Sequence, residues 1–140
     1  MKQFYIVGFP VKHSLSPSIF NQIFRLLKID ASYSFKEIEN EDAFQNFIDN
    51  IDNNILGFNV TLPHKEWIYK NVDCIDSSAK LIQSINCVKI INSKLIGYNT
   101  DLYGFDQLIK FNDILSISML MLFSKKSIGM VKLLLLIGDK

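Results

Sequence analysis

GFNVTLPHK, residues Gly57 to Lys65, decides the fold. The apolar run from Ile55 to Val60 suits a buried strand, and Pro63 suits the opening of a helix that continues through Trp67 and Tyr69. Upstream, Phe44, Phe47, Ile48 and Ile51 recur at helical spacing, with Glu39, Glu41 and Asp42 near the start, where the helix dipole favours negative charge, and Asn53 and Asn54 at the end. Ser32 to Ile38 alternates polar and apolar residues (Tyr33, Phe35, Ile38) and predicts another strand. Ahead of that, Gln3 to Val7 is a short apolar run that ends at Gly8 and Pro10. Ser16 and Pro17 then predict a helix start, with the hydroxyl at the N-cap and proline at the first helical position. Ile19, Phe20, Ile23, Phe24 and Leu27 fall on one face of that helix and predict a core-facing stripe. Strand and helix thus alternate three times, the pattern of an α/β layer with a largely parallel sheet.

Downstream, a helix is expected around Ile75 to Ile82, then two extended runs, Ile85 to Ile91 and Lys94 to Asn99, joined by Asn92 and Ser93. The Asn-Ser link predicts a hairpin, hence one antiparallel strand. The expected fold class is α/β, three-layered, with a mixed, mainly parallel sheet. Leu102 to Lys110 predicts a helix carrying Phe105, Leu108 and Ile109. From Asn112 the pattern gives way to the apolar clusters Ile114 to Phe123 and Val131 to Ile137, so the expected division is a domain over 1–110 and an apolar tail over 111–140. Neither cluster reaches the roughly 20 apolar residues of a spanning helix. An exposed tail of this kind predicts aggregation or a partner surface.

Hydrophobic residues make up 49% of the 140 and charged residues 21%, a globular composition. Fifteen basic against fourteen acidic side chains give a net charge of +1, with no basic face for a run of phosphates, so nucleic acid is not expected as a partner. Cys74 and Cys87 have neither CxxC spacing nor a paired histidine, which argues against zinc and against a disulfide framework and for reduced thiols in a cytoplasmic protein. Met1 leads directly into a strand-like segment without the features of an export signal.

Ligands of open α/β sheets collect beyond the carboxyl ends of the strands. Three segments place polar groups there. HSLSP sets Ser14 and Ser16 at a helix N-terminus, where free N–H groups and the dipole suit a carboxylate or phosphate, although an N-cap at Ser16 and a loop hydroxyl at Ser14 are the commoner explanation. NVTLPHK supplies Asn59, Thr61 and Lys65, and a lysine in a first turn opposes the dipole unless a counter-charge meets it. NTD supplies that charge in Asp101, whose plain alternative is a helix cap, as a solvated surface residue is the alternative for Lys65. A Lys–Asp pair suits proton transfer to or from a substrate hydroxyl. His13 and His64 lack ligand spacing and are read as polar loop or helix positions, with no metal site.

Taken together, GFPVKHSLSPSIFN (Gly8 to Asn21), GFNVTLPHK and GYNTDLYGF (Gly97 to Phe105) resemble the substrate-binding domain of shikimate dehydrogenase over about residues 3–110. The resemblance implies that family's N-terminal fold and the NADP-dependent reduction of 3-dehydroshikimate to shikimate, on the route to chorismate and the aromatic amino acids. It implies that Ser14 and Ser16 hold the shikimate carboxylate, that Asn59, Thr61, Asn86 and Asp101 contact ring hydroxyls, and that Lys65 and Asp101 form the catalytic pair. Two departures stand out: Phe20 where the family usually has His, and QSINCV (Gln83 to Val88) in place of GAVNTV. The cofactor implied is NADP, with no cofactor-binding residues expected in this chain. VKLLLLIGDK resembles the first strand of a Rossmann domain up to Gly138, but Asp139 and Lys140 follow instead of a glycine-rich loop. The tail therefore reads as a remnant or frameshifted start of that domain. The partners implied are a small-molecule substrate and either a second copy of the chain or an NADP domain in trans. The function expected is the substrate-binding half of the enzyme, inactive alone. The competing readings are a non-catalytic shikimate- or quinate-binding module and an inert remnant.

Overall fold

Strand β1 (Lys2–Gly8) lies inside a six-stranded sheet, between β2 (Ala31–Glu37) and β3 (Ile55–Val60), and is parallel to both. The computed structural model describes residues 1–101, 103 and 104. Helix α1 (Ser16–Leu26) connects β1 to β2, and α2 (Glu41–Asp49) connects β2 to β3. After β3 come α3 (Lys65–Lys70), the two-residue strand β4 (Cys74–Ile75), α4 (Ser77–Ile82), β5 (Cys87–Ile91) and β6 (Lys94–Tyr98). Strand order across the sheet is β2-β1-β3-β5-β6-β4. β5 runs antiparallel to both its neighbours, so the sheet is mixed as expected. Asn92 and Ser93 turn the β5–β6 hairpin with φ values of 50° and 59°, the left-handed pair that matches strand twist in a two-residue link.

The two sheet faces are covered differently. Val7, Phe58, Val60, Val88 and Leu95 point to one side, where Phe44 and Phe47 of α2, Ile68 of α3 and Ala79 of α4 complete the main core. Gly57 lets β3 and β5 close up on each other: a methyl there would lie 2.6 Å from the Val88 carbonyl oxygen. On the other side Ile6, Val11 and Tyr33 form a smaller cluster, with Phe4 and Phe24 packed against it.

Four local expectations need correction. Ser16 is the first helical residue of α1 and Leu15 is the cap, because the Ser14 hydroxyl takes the Ser16 N–H at 3.2 Å. The apolar stripe of α1 faces the core only in part: Phe24 packs against the smaller cluster and Phe20 stacks on Tyr33, but Ile19, Ile23 and Leu27 are exposed. A helical period reports an apolar stripe, not whether a partner lies opposite. α2 ends at Asp49, not at Asn53 and Asn54, and Asn50 caps it by donating to the Asn46 carbonyl at 2.8 Å. Pro63 precedes the helix it was expected to open, since α3 begins at Lys65, capped by His64. β4, a two-residue strand, leaves no periodic signal in the sequence. Asp101, Tyr103 and Gly104 have helical backbone, and the Gly104 N–H meets the Thr100 carbonyl at 3.0 Å. The remainder of the helix expected over Leu102 to Lys110, and the tail expected over 111–140, lie outside the described residues.

Asp76 caps α4 and braces the segment that leads to Asp101. Its carboxylate accepts from the Ser78 hydroxyl at 2.7 Å and the Ser78 N–H at 2.9 Å, and the same hydroxyl accepts from the Asn99 N–H at 3.1 Å. These bonds, the Ser78 hydroxyl first, hold the Asp76 carboxyl below its usual range. A depressed folded-state value means that the contribution is present above the unfolded value of about 3.9 and is lost as pH falls through the lower folded one. Asp76→Asn should therefore lower stability at neutral pH and flatten its fall in acid, as followed by urea denaturation between roughly pH 6 and pH 3. Parallel pH curves for the variant and the parent chain would contradict the assignment.

Candidate functional site

The carboxyl ends of β1, β3 and β6 share one edge of the sheet. Because β5 is antiparallel, its amino end joins them there, with Asn59 opposite Cys87 and Cys87 opposite Tyr98. Asn86, just before β5, is locked into that edge: its carbonyl accepts from the Val60 N–H at 2.9 Å and its N–H donates to the Tyr98 carbonyl at 3.1 Å. All seven expected site residues belong to this edge or to the loops leaving it.

Lys65 and Asp101 meet. The ammonium lies 2.7 Å from Asp101 Oδ2, with 15% of the lysine side chain and 36% of the aspartate side chain exposed. The pair is sheltered but open enough to admit a ligand. The other carboxylate oxygen, Oδ1, accepts from Asn86 Nδ2 at 2.7 Å. The same Nδ2 donates to Thr100 Oγ1 at 2.9 Å, while Asn86 Oδ1 accepts from the Thr100 N–H at 2.9 Å and the Thr100 hydroxyl at 3.2 Å. Both amide hydrogens and both lone pairs of Asn86 are thus engaged. Asn86 and Thr100 hold the Asp101 carboxylate edge-on to the lysine.

Asn59 Nδ2 donates to the Asn86 carbonyl at 3.1 Å, and its Oδ1 accepts from the Tyr33 hydroxyl at 2.8 Å, leaving one hydrogen and one lone pair for a ligand. Ser14 donates to Ser16 Oγ at 3.2 Å. Thr61 anchors the loop by backbone bonds, accepting from the His64 N–H at 3.1 Å and donating to the Val7 carbonyl at 2.9 Å, while its methyl packs against Gly8. Prolines in the two loops that follow β1 and β3, Pro10 and Pro63, are both cis.

Tyr33 and Thr100 are not singled out by the sequence. Tyr33 reads there as a core residue of an alternating strand, and only the tertiary fold brings its hydroxyl to Asn59. Thr100 stands inside the NTD motif, which is the signal available for it. His64, read as a polar loop or helix position, is buried at 2% exposure, with Nε2 at 2.6 Å from the Ile38 carbonyl oxygen and its ring edge-on to Phe44. Gln83, where the family usually has glycine, adopts φ 57° and ψ 39°, a left-handed conformation that costs a side chain roughly 1–2 kcal/mol. The loop nonetheless delivers Asn86 to Asp101. A hollow of about 710 Å³ between the end of α2 and the β5–β6 turn lies at the opposite end of the strands. It contains none of these residues.

A sequence model described as "Shikimate dehydrogenase substrate binding domain" matches residues 6–88. The chain belongs to this family. The shikimate dehydrogenase (NADP(+)) of Caldicellulosiruptor saccharolyticus is 39% identical over 107 residues, which are 75% of this chain and 38% of that protein. The crystal structure of shikimate dehydrogenase 1 from Peptoclostridium difficile superposes with a TM-score of 0.75 at 36% identity, covering 81% of this chain and 43% of that one. The shikimate 5-dehydrogenase of Thermus thermophilus, in complex with NADP(H) and shikimate, superposes with the same TM-score of 0.75 at 30% identity, covering 82% and 44%. The chain thus spans about two fifths of the shikimate dehydrogenases it matches. Its six-stranded mixed sheet with helices on both faces is the fold of their N-terminal part. Those relatives are NADP-dependent oxidoreductases.

Among the described residues no helix is long and apolar enough to cross a membrane, and no cluster of three or more metal-binding side chains occurs. Nor do these residues fit NADP: no strand among them leads through a glycine-rich turn into a helix whose N–H groups would receive a pyrophosphate.

Proposed function

We propose that this chain carries the shikimate-binding part of an NADP-dependent shikimate dehydrogenase. The observation that carries the reading is the Lys65–Asp101 pair at 2.7 Å, with Asn86 on the second carboxylate oxygen, in one edge with Ser14, Ser16 and Asn59. A cyclohexene carboxylate with ring hydroxyls needs an anion site at one end and amide, hydroxyl and charged groups at the other. Ser14 and Ser16, at the start of the eleven-residue helix α1, supply the first through hydroxyls and first-turn N–H groups. Asn59, Thr61 and Asn86 line the second, and Asp101 and Lys65 meet the hydroxyl whose oxidation state changes.

Lys65 and Asp101 then exchange a proton with that oxygen. The ammonium donates as a carbonyl is reduced, and Asp101 stabilises the charge on the lysine and orients it. When bound to the enzyme, NADP supplies the hydride chemistry. The described residues hold the substrate and move the proton, and the chain is not expected to reduce NADP+ by itself. An NADP domain supplied in trans would complete the machinery, in a cytoplasmic setting, and a homodimer is the other partner expected.

Calorimetric titration of the 140-residue chain with shikimate should give saturable heat, lost in Lys65→Ala. Quinate in the same experiment sets the preference between the two acids. Absence of binding to either at millimolar concentration would sink the reading and leave an inert remnant.

A further inference from the structure

Tyr33 is restrained at backbone, ring and hydroxyl. It is 4% exposed. Its strand, β2, is at the sheet edge, and there the Asn21 side chain of α1 substitutes for a missing strand: Nδ2 donates to the Tyr33 carbonyl at 2.8 Å and Oδ1 accepts from the Tyr33 N–H at 2.9 Å. Phe20, one residue earlier on α1, stacks on the Tyr33 ring with centroids 4.7 Å apart and planes 9° from parallel. Backbone and ring are therefore both held by the helix that begins with Ser16.

The hydroxyl is all that reaches beyond this grip. It donates to Asn59 Oδ1 at 2.8 Å on β3 and has Ser16 as its neighbour on α1. Burial is the main cause that pushes the phenol well above its usual range, with Cys87 adding to it and Ser16 opposing it. The group stays protonated and acts as a donor throughout the physiological range. A fixed donor on one side and the Asn86 carbonyl on the other leave the Asn59 amide a single orientation, oxygen toward Tyr33 and nitrogen toward Asn86.

We propose that Tyr33 is a positioning residue: held by α1, the helix that begins at Ser16, its hydroxyl fixes Asn59, so that the carboxylate end and the hydroxyl end of the site keep a fixed separation. It touches no reacting atom. The inference rests on the substrate reading above and deepens it, by naming what couples the two halves of the site.

Tyr33→Phe removes only the hydroxyl and keeps the Phe20 stack and both Asn21 bonds, so the thermal midpoint should stay close to that of the parent chain. Shikimate affinity should fall about threefold to tenfold, the effect of one hydrogen bond. In an Asn59→Ala background the same change should cost less, because the action passes through Asn59. A merely structural tyrosine would give equal losses in both backgrounds, and that result, like undiminished affinity, overturns the inference. A ligand-free readout separates it from the substrate reading. In nitrogen-proton NMR spectra the side-chain amide signals of Asn59 should shift in Tyr33→Phe. If the parent chain binds no shikimate, the substrate reading fails and the Asn59 signals decide: a shift upholds the positioning role, and unmoved signals overturn it.

Discussion

Asp101→Ala is expected to lower shikimate affinity on the order of 100-fold, the scale of two charge-assisted hydrogen bonds, while the thermal midpoint moves little. The carboxylate is the one group that Lys65 and Asn86 both use, through Oδ2 and Oδ1 at 2.7 Å each. Its removal leaves a sheltered ammonium without a counter-charge, free to swing away from the substrate oxygen, and leaves one Asn86 hydrogen without its acceptor. Stability suffers less, because with a third of its side chain open to solvent Asp101 is screened by water and contributes little to the fold. Asp101→Asn should fall between: an amide oxygen still accepts from Asn86, but the charge that orients Lys65 is gone. Calorimetry with shikimate measures both variants, and an Asp101→Ala chain that binds as tightly as the parent would remove Asp101 from the site.

Phe44→Ala should destabilise the chain by about 3–5 kcal/mol, a large share of the ~5–15 kcal/mol that holds an ordinary domain together. Phe44 is completely buried and joins two helices to the sheet. Its ring lies 5.0 Å from those of Trp67 and His64 on the α3 side, 6.1 Å from Phe58 of β3 and 6.2 Å from Phe47 of its own helix. Truncation opens a cavity at that junction and removes the wall that presses His64 toward the Ile38 carbonyl. The cap of α3, and with it Lys65, should loosen as well. Phe44→Leu, which keeps most of the volume, should lose markedly less. Urea denaturation reads the difference, and a loss under about 1 kcal/mol for Phe44→Ala would show that the core closes over the gap.

Much of the layout is legible because its signals are local. β3 is expected over Ile55 to Val60 and is found there, since an apolar run bounded by asparagines and a Leu-Pro pair leaves little else for those residues to do. The hairpin at Asn92 and Ser93 is equally plain, because few side chains tolerate two successive left-handed residues. The errors lie where partners far along the chain decide. The stripe of α1 carries the right period, yet Ile19 and Leu27 are exposed, since burial depends on what is laid opposite. His64 reads only as a polar loop or helix position, but the carbonyl of Ile38 lies 2.6 Å from its ring nitrogen inside the core.

The sequence by itself determined the strand and helix order apart from β4, the mixed sheet, and the candidates Ser14, Ser16, Asn59, Thr61, Lys65 and Asp101, because each sits at the end of an element whose boundary is marked by nearby residues. Asn86 entered through family resemblance alone. Only the tertiary structure decided that it lies against Asp101, that Thr100 clasps it, and that the Tyr33 hydroxyl bonds Asn59. The reason is topological: the reversal of β5 carries Asn86 to the edge where β3 and β6 end, and the β2–β1–β3 order brings Tyr33 alongside Asn59. Hydrogen bonds across 26 positions for Tyr33 and Asn59, or 15 for Asn86 and Asp101, leave no trace in local pattern.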